Sequence, residues 1–297
     1  MGRSAVLTGR IDARDRAKLR GRLDADLVPS IDPHAELDAW LKAAGYGSER
    51  AAIAVRMDLD DYLGRTAHID VPAQERLRRL AIELEFDYGF APEVVDRVYL
   101  AAIRIDPNDY LLWHSRGISM KYAARLGDGE KWERMAAKAW RWLLRAWELE
   151  QSDPQVPYSL GLWHYYFGSK EEAEQWLEHT LELRPDHGFA RLYRAYCLHD
   201  RERWSEALAA YEAVPLQTFQ GHQDWRLDVI LEGQAYCKLR TGDRSGATAD
   251  FGRLLERWER EPLRMRGLFM RLTKEACEGP LCEELGDAFR RVAELDT

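Results

Sequence analysis

The stretch that decides the fold is PQVPYSLGLWHYYFGSKEEAEQWLEHTLELRPDHGFARLYRAYCLHDRERWSEALAAYEAV, residues 154–214. It contains one pattern twice. Ala173 and Ala207 lie 34 residues apart, and the same interval separates the small residues Gly161 and Ala195. The residues four and seven positions after each of the two alanines repeat as well, and they are large or β-branched. An interval of this length between matching residue types predicts a repeated supersecondary unit.

The pattern extends in both directions from this stretch. Ala139 lies 34 residues before Ala173, and further matches follow a step of 40 to Ala247 and a backward step of 44 to Val95. The longer steps predict long helices or an enlarged turn around residues 126–134, and an insertion at 215–226. The small residues of the first helices are Gly117, Gly161, Ala195 and Ala235.

Helix packing explains this spacing physically. Two helices approach closely only where small residues face each other, and the large residues one turn later fill the groove to the next pair. One pair cannot bury its apolar side alone, so successive pairs must stack. Proline and glycine separate segments of helical length, as at Pro107, Pro154 and Pro185. We therefore expect an all-α solenoid.

These residues resemble the tetratricopeptide repeat, a helix–turn–helix unit of 34 residues. Its pattern is clearest from Leu160 to Pro185, and Trp113 precedes Gly117 as the family's tryptophan precedes its small residue. The resemblance covers roughly residues 76–258 and implies a right-handed α-solenoid. We expect a helical module or cap at 1–70, repeats at 71–260 and capping helices at 261–297.

Composition narrows the class of protein. The 297 residues include 43 basic and 51 acidic ones, a net charge of −8 that argues against a general nucleic-acid binder. No apolar run is long enough to span a membrane, and no secretory signal is visible. Four cysteines without a CxxC motif predict free thiols and a cytoplasmic protein. Arginine outnumbers lysine 35 to 8, which suggests a GC-rich bacterial source.

The sequence contains no recognised catalytic motif, phosphate-binding loop or metal-ligand spacing. We predict no catalytic residue, metal or cofactor. The leading hypothesis is a protein–protein interaction scaffold that binds a protein or peptide partner, of unknown oligomeric state. One alternative is an enzyme or small-ligand-binding protein that uses the groove as its pocket. Another is a peptide-sensing bacterial regulator, because residues 41–55 faintly resemble a helix–turn–helix, although residues 36–61 carry a net charge of −3.

The resemblance also implies where a partner binds. In tetratricopeptide proteins the first helices line the concave surface, and the residues beside the small position face the groove. The basic clamp that chaperone-binding members use is absent, since His114, Ile118 and Ser159 occupy three of its positions. The groove is instead aromatic, which suits an apolar helix or an extended peptide. The predicted binding residues are His114, Tyr158, Tyr165, Tyr166, Phe189, Tyr196, His199, Glu232, Tyr236 and Arg240. Should the aromatic residues prove to be core residues, the tryptophan-rich helix at 131–147 or the N-terminal module is the next candidate.

Overall fold

A computed structural model describes residues 59, 63–64, 66–86, 92–126, 129–221, 223, 225–260 and 271–294 of the chain. These residues form twelve α-helices and one short 3₁₀-helix, and the described part contains no strand. The three helices predicted within 1–63 and the start of the one predicted at 262–277 lie outside the described residues. The helical module or cap predicted at 1–70 lies almost entirely outside them as well.

The contacts divide the chain into two compact units. One runs from Ala17 to Phe167, and the other comprises Gly168–Thr297 together with Met1–Arg16. This division falls inside the segment that the sequence analysis treats as one continuous array. The domain boundaries predicted from the sequence therefore stay a prediction.

The first unit contains five helices, and each packs against the next one along the chain. They are α1 (Ala73–Phe86), α2 (Pro92–Ile105), α3 (Tyr110–Leu126), α4 (Glu130–Leu149) and α5 (Gln155–Phe167). The longer step in the repeat pattern is explained by the length of two helices. Helix α3 has 17 residues and α4 has 20, and only three residues separate them.

The second unit contains seven helices. They are α6 (Lys170–Leu183), α7 (Gly188–Asp200), α8 (Trp204–Glu212), α9 (Trp225–Arg240), α10 (Arg244–Arg260), α11 (Arg271–Glu278) and α12 (Cys282–Glu294). Neighbours in sequence pack from α6 to α10, α11 packs against α9, and α12 covers α10 and α11. The inserted residues after α8 form a 3₁₀-helix, Leu216–Phe219, whose Phe219 is fully buried.

The small residues of the repeat lie where two helices approach closely. Gly117 on α3 faces Leu143 on α4, and a Cβ atom built on Gly117 would lie 2.7 Å from the Leu143 side chain and 3.2 Å from its backbone nitrogen. Ala139, Ala173 and Ala207 are all completely buried, as the 34-residue spacing predicts. The same periodicity that predicts the helices therefore also identifies the closest contacts.

Two Gly→Ala substitutions should have opposite effects on stability. Gly117→Ala forces Leu143 and the backbone of α4 to move, so we expect a loss of about 1–2 kcal/mol in the free energy of unfolding. Gly252→Ala on α10 meets only one atom, 3.9 Å away, and should gain about 0.5–1 kcal/mol from a better helix propensity. Urea denaturation of both variants measures the difference. Equal effects would mean that α3 and α4 do not meet at Gly117.

Candidate functional site

His114 was predicted to face an open groove, and the structure places it in a helix contact instead. Its Nε2 atom lies 2.9 Å from Ser159 Oγ and 3.2 Å from the carbonyl oxygen of Gln155, so the ring joins α3 to α5. Only 7% of the residue is exposed. Burial lowers the pKa of His114 to about 4, and the ring is neutral at pH 7.

The three predicted tyrosines of α5 differ in exposure. Tyr158 and Tyr165 are 0% and 1% exposed, so neither contributes an open recognition surface. Tyr166 is partly exposed, and the Arg125 guanidinium lies 4.1 Å above its ring. Two of these aromatic side chains therefore belong to the core of the protein, because burying a large ring on packing outweighs leaving it in water.

In the second unit His199 lies at the centre of a group of buried or half-buried side chains, which we call the His199 cluster. Its ring is edge-on to Trp204 at 5.2 Å and tilted against Tyr236 at 5.6 Å. Tyr211 Oη and Cys237 Sγ lie 3.5 and 3.7 Å from His199 Nδ1. Burial, with smaller effects of Arg271 and Arg240, lowers the pKa of His199 to about 4.

The tight packing of this cluster depends on a glycine. A Cβ atom on Gly233 would lie 2.6 Å from the Tyr211 ring, so α9 can approach α8 only where a side chain is absent. Tyr196 contacts the same ring at a centroid distance of 6.0 Å and is 2% exposed. The prediction that Tyr165, Tyr196 and Tyr236 form one exposed apolar surface is thus wrong about exposure, since Tyr236 is also only 5% exposed.

Glu232 is buried under the C-terminal helices and not free to orient a partner. Its Oε1 atom accepts hydrogen bonds from the backbone nitrogen of Thr273, at 2.9 Å, and from the Thr273 hydroxyl, at 2.8 Å. Burial raises the pKa of Glu232 to about 7, and the bonds from Thr273 and the charge of Arg271 oppose that shift. The carboxyl therefore fastens α11 to α9.

Above the His199 cluster, polar groups reach the surface. The exposed Arg240 places its guanidinium 4.6 Å from the centre of the Trp204 ring and donates to Tyr236 Oη at 3.2 Å. The Tyr236 hydroxyl in turn donates to Glu275 on α11. We call Trp204, Tyr236, Arg240 and Glu275 the Arg240 rim. Stacking and hydrogen bonding hold this guanidinium in one orientation, which lowers the entropic cost of binding through it.

Phe189, the remaining predicted residue, packs beside the insertion. Its ring is edge-on to Phe219 at 5.0 Å, and the Arg226 guanidinium lies 5.1 Å away. The inserted turn is also held against Gly188, where a Cβ atom would lie 2.4 Å from Thr218 Oγ1. Phe189 stays partly exposed, so the insertion covers one side of it and leaves the other accessible.

The tryptophans of α4 point in two directions, as their spacing predicts. Trp140 contacts Trp163 and His164 on α5, at centroid distances of 4.9 and 4.7 Å. Trp142 lies 3.6 Å beneath the guanidinium of Arg116, which also forms a two-pronged ion pair with Asp96. Arg116 therefore links α2, α3 and α4 through one planar group.

Solved structures of similar architecture identify this arrangement. PilF of Pseudomonas aeruginosa superposes with a TM-score of 0.52 at 18% identity, over 80% of this chain and 94% of PilF. YrrB, a TPR protein with an unusual peptide-binding site, superposes with a TM-score of 0.50 at 16% identity, over 73% of this chain and 97% of YrrB. The chain has the tetratricopeptide-repeat fold. No family model matches the sequence, and neither does any curated protein.

Within this tetratricopeptide fold, the repeat pattern found some of the Arg240 rim and missed the rest. Tyr236 and Arg240 were predicted because they flank a small residue of a first helix. Trp204 begins a second helix, and Glu275 and Thr273 lie on α11, beyond the part of the sequence that matches the repeat. No spacing rule connects those positions to α9, so only the packing of α11 against α9 could place them there.

Other functional features were also examined in the described residues. They contain no group of three histidine, cysteine or acidic side chains that could hold a metal ion. Among them, no helix is both long and apolar enough to cross a membrane. All four cysteines are free thiols, which confirms that prediction; Cys282 is exposed and the other three are buried. Burial raises the pKa of Cys237 and of Cys277 to about 12, so neither is an activated nucleophile.

Proposed function

We propose that this chain is a protein–protein interaction scaffold that binds a partner segment at the Arg240 rim. The observation that carries the proposal is the exposed Arg240 guanidinium, which is stacked on Trp204 and hydrogen-bonded to Tyr236. A guanidinium held above an aromatic ring offers a directed charge and an apolar contact side by side, the combination found in binding hot spots. The peptide-binding site of YrrB, a protein of the same fold, supports the assignment to peptide recognition.

The rim also defines the chemistry of the partner segment. Arg240 pairs best with a carboxylate, which can accept two parallel hydrogen bonds from a guanidinium. Glu275, which is exposed beside it, disfavours a segment with several neighbouring acidic groups. The segment therefore carries one carboxylate next to an apolar or aromatic residue that packs on Trp204. Phe189 and Tyr166, which are partly exposed, remain candidates for further contacts with the partner.

Of the other residues predicted to bind, the buried ones act indirectly in this proposal. Tyr196 and His199 support the ring of Tyr236 or Tyr211, and Glu232 holds α11 in place. Their replacement should change stability more than binding. His114, Tyr158 and Tyr165 belong to the core of the first unit and are not assigned to the partner surface.

Affinity purification from the source cell, with mass spectrometry of the eluate, tests the proposal. A partner at the rim should be retained by the wild-type chain and by Arg290→Glu, an exposed control on α12, and lost with Arg240→Glu. With the purified partner, Arg240→Ala should weaken binding at least about tenfold, or ~1.4 kcal/mol, with little change in melting temperature. Equal binding by wild type and Arg240→Glu would exclude the rim as the partner site.

A further inference from the structure

The exposed face of α4 carries a row of five cations. Lys131, Arg134, Lys138, Arg141 and Arg145 follow one another at alternating intervals of three and four residues. Because an α-helix has 3.6 residues per turn and a rise of ~1.5 Å per residue, this row runs along one face for about 21 Å. The opposite face is buried and contains Met135, Ala136, Ala139, Leu143 and Ala146.

The charges in the middle of this row are not neutralised by the protein. Arg134 pairs with Glu130 at 2.9 Å and Arg145 with Glu148 at 3.0 Å, and all four side chains are at least 42% exposed. Such exposed pairs are weak and leave their charges accessible. Lys138 and Arg141 form no ion pair with any carboxylate in the part of the chain that the structure describes.

Helix α2 adds to this positive surface. Arg116 touches both Asp96 on α2 and Trp142 on α4, which brings the edges of these two helices next to each other. Arg97 and Arg104 are exposed on α2 and, like Lys138 and Arg141, have no ion-pair partner among the described residues. A protein with a net charge of −8 thus presents a local surface of the opposite sign.

We propose that this face of α4, the row from Lys131 to Arg145, is a docking surface for an acidic amphipathic helix of a partner protein. The row repeats every seven residues, or about 10.5 Å, the interval at which carboxylates recur on one face of a second helix lying alongside. Same-face residues of an extended strand recur every ~6.8 Å and stay in register with only part of the row.

Two further features favour a short acidic helix over a nucleic acid. A polyanion is repelled by the net charge of −8, whereas a helix with four or five carboxylates is repelled far less. Leu144 and Trp140, both partly exposed, border the row on the side away from Trp142. They offer an apolar contact to the hydrophobic edge of an amphipathic helix, which a phosphate backbone would not use. This surface is separate from the Arg240 rim, and its test does not depend on the proposed function.

Binding of two designed peptides to the full chain tests the proposal. One is an alanine-based helix of about 20 residues with glutamates at alternating intervals of three and four, and the other has the same composition with its glutamates spread around the helix. Fluorescence anisotropy should show that the first binds at least about tenfold more tightly, and that added salt weakens it. Lys138→Glu/Arg141→Glu should abolish this preference, and Lys138→Gln/Arg141→Gln should reduce it.

The control variant carries the same change in net charge elsewhere. Lys274→Glu/Arg290→Glu alters two exposed cations of α11 and α12 and should leave peptide binding unchanged. Circular dichroism would verify that every variant is folded. The proposal is overturned if both peptides bind equally, if the α4 variants bind like wild type, or if single-stranded DNA binds more tightly than the first peptide. Concentration-dependent oligomers that are lost in Lys138→Glu/Arg141→Glu would identify a second copy of this chain as the occupant and also overturn it.

Discussion

Ala207→Arg should lower the free energy of unfolding by about 4 kcal/mol or more. Ala207 is 0% exposed and lies on α8, which packs between α7 and α9. An arginine there overfills a closely packed contact and buries a charge without a partner, two effects that each cost several kcal/mol. Because the free energy of unfolding of a domain is itself only ~5–15 kcal/mol, much of the second unit would lose its fixed packing.

Ala209→Arg provides the matched control for this variant. Ala209 lies on the same helix, two residues away, and is exposed. The two variants therefore share composition, charge and helix propensity and differ only in the face they change. Urea denaturation and thermal melting should show Ala209→Arg within about 0.5 kcal/mol of wild type. An Ala207→Arg protein that melts within a degree or two of wild type would contradict the repeat register.

Acidification from pH 7 to pH 4.5 should reduce stability by several kcal/mol. Burial lowers the pKa values of His114, His187 and His199 to about 4 in the folded chain, against 6.5 for a free side chain. Between these values the unfolded chain binds more protons than the folded one, so stability falls as the pH decreases through this window. Each ring contributes at most about 1.4 kcal/mol per pH unit.

Glu232 opposes this trend. Its pKa is raised to about 7 from an ordinary value of 4.5, so between those values the folded chain holds the extra proton. Its contribution to stability therefore falls as the pH rises from 4.5 to 7. Three histidines act against this one carboxyl, and the net effect is a loss of stability in acid. Glu232→Gln removes the opposing group, and its stability should fall more steeply than that of wild type on acidification.

His187 allows the histidine contribution to be isolated. Its Nδ1 atom accepts a hydrogen bond from the backbone nitrogen of Ala190 at 3.1 Å and caps α7, which requires an unprotonated nitrogen. Asparagine is a good N-cap that does not titrate, so His187→Asn should keep the cap and flatten the pH dependence. His179→Gln, at a more exposed position, should not change the slope. Urea midpoints at several pH values measure both, and a wild-type stability that is flat from pH 7 to pH 5 would contradict the expected burial of these rings.

The repeat spacing alone predicted most of the helices, because helix formation and pairing depend on local periodicity. Helices α2, α6 and α7 begin and end as expected, and most others differ by one or two residues. The close approaches at Gly117 and Ala207 were likewise readable, since only small residues allow them. The short α8 and the 3₁₀-helix after it were not predicted in detail, because Phe219 and Thr218 are positioned by the contacts they make with α7.

The sequence by itself thus determined the helix pairs, the small-residue contacts, the free cysteines and the cation row of α4. Each follows from spacing along one chain segment. Only the tertiary structure decided which inner-face residues are accessible, because exposure depends on what packs above a side chain. Helix α11 covers Glu232, neighbouring aromatic rings cover His199, and Arg240 alone of the predicted residues on α9 stays in contact with solvent. None of those covering groups lies at a repeat position that identifies the residue it buries.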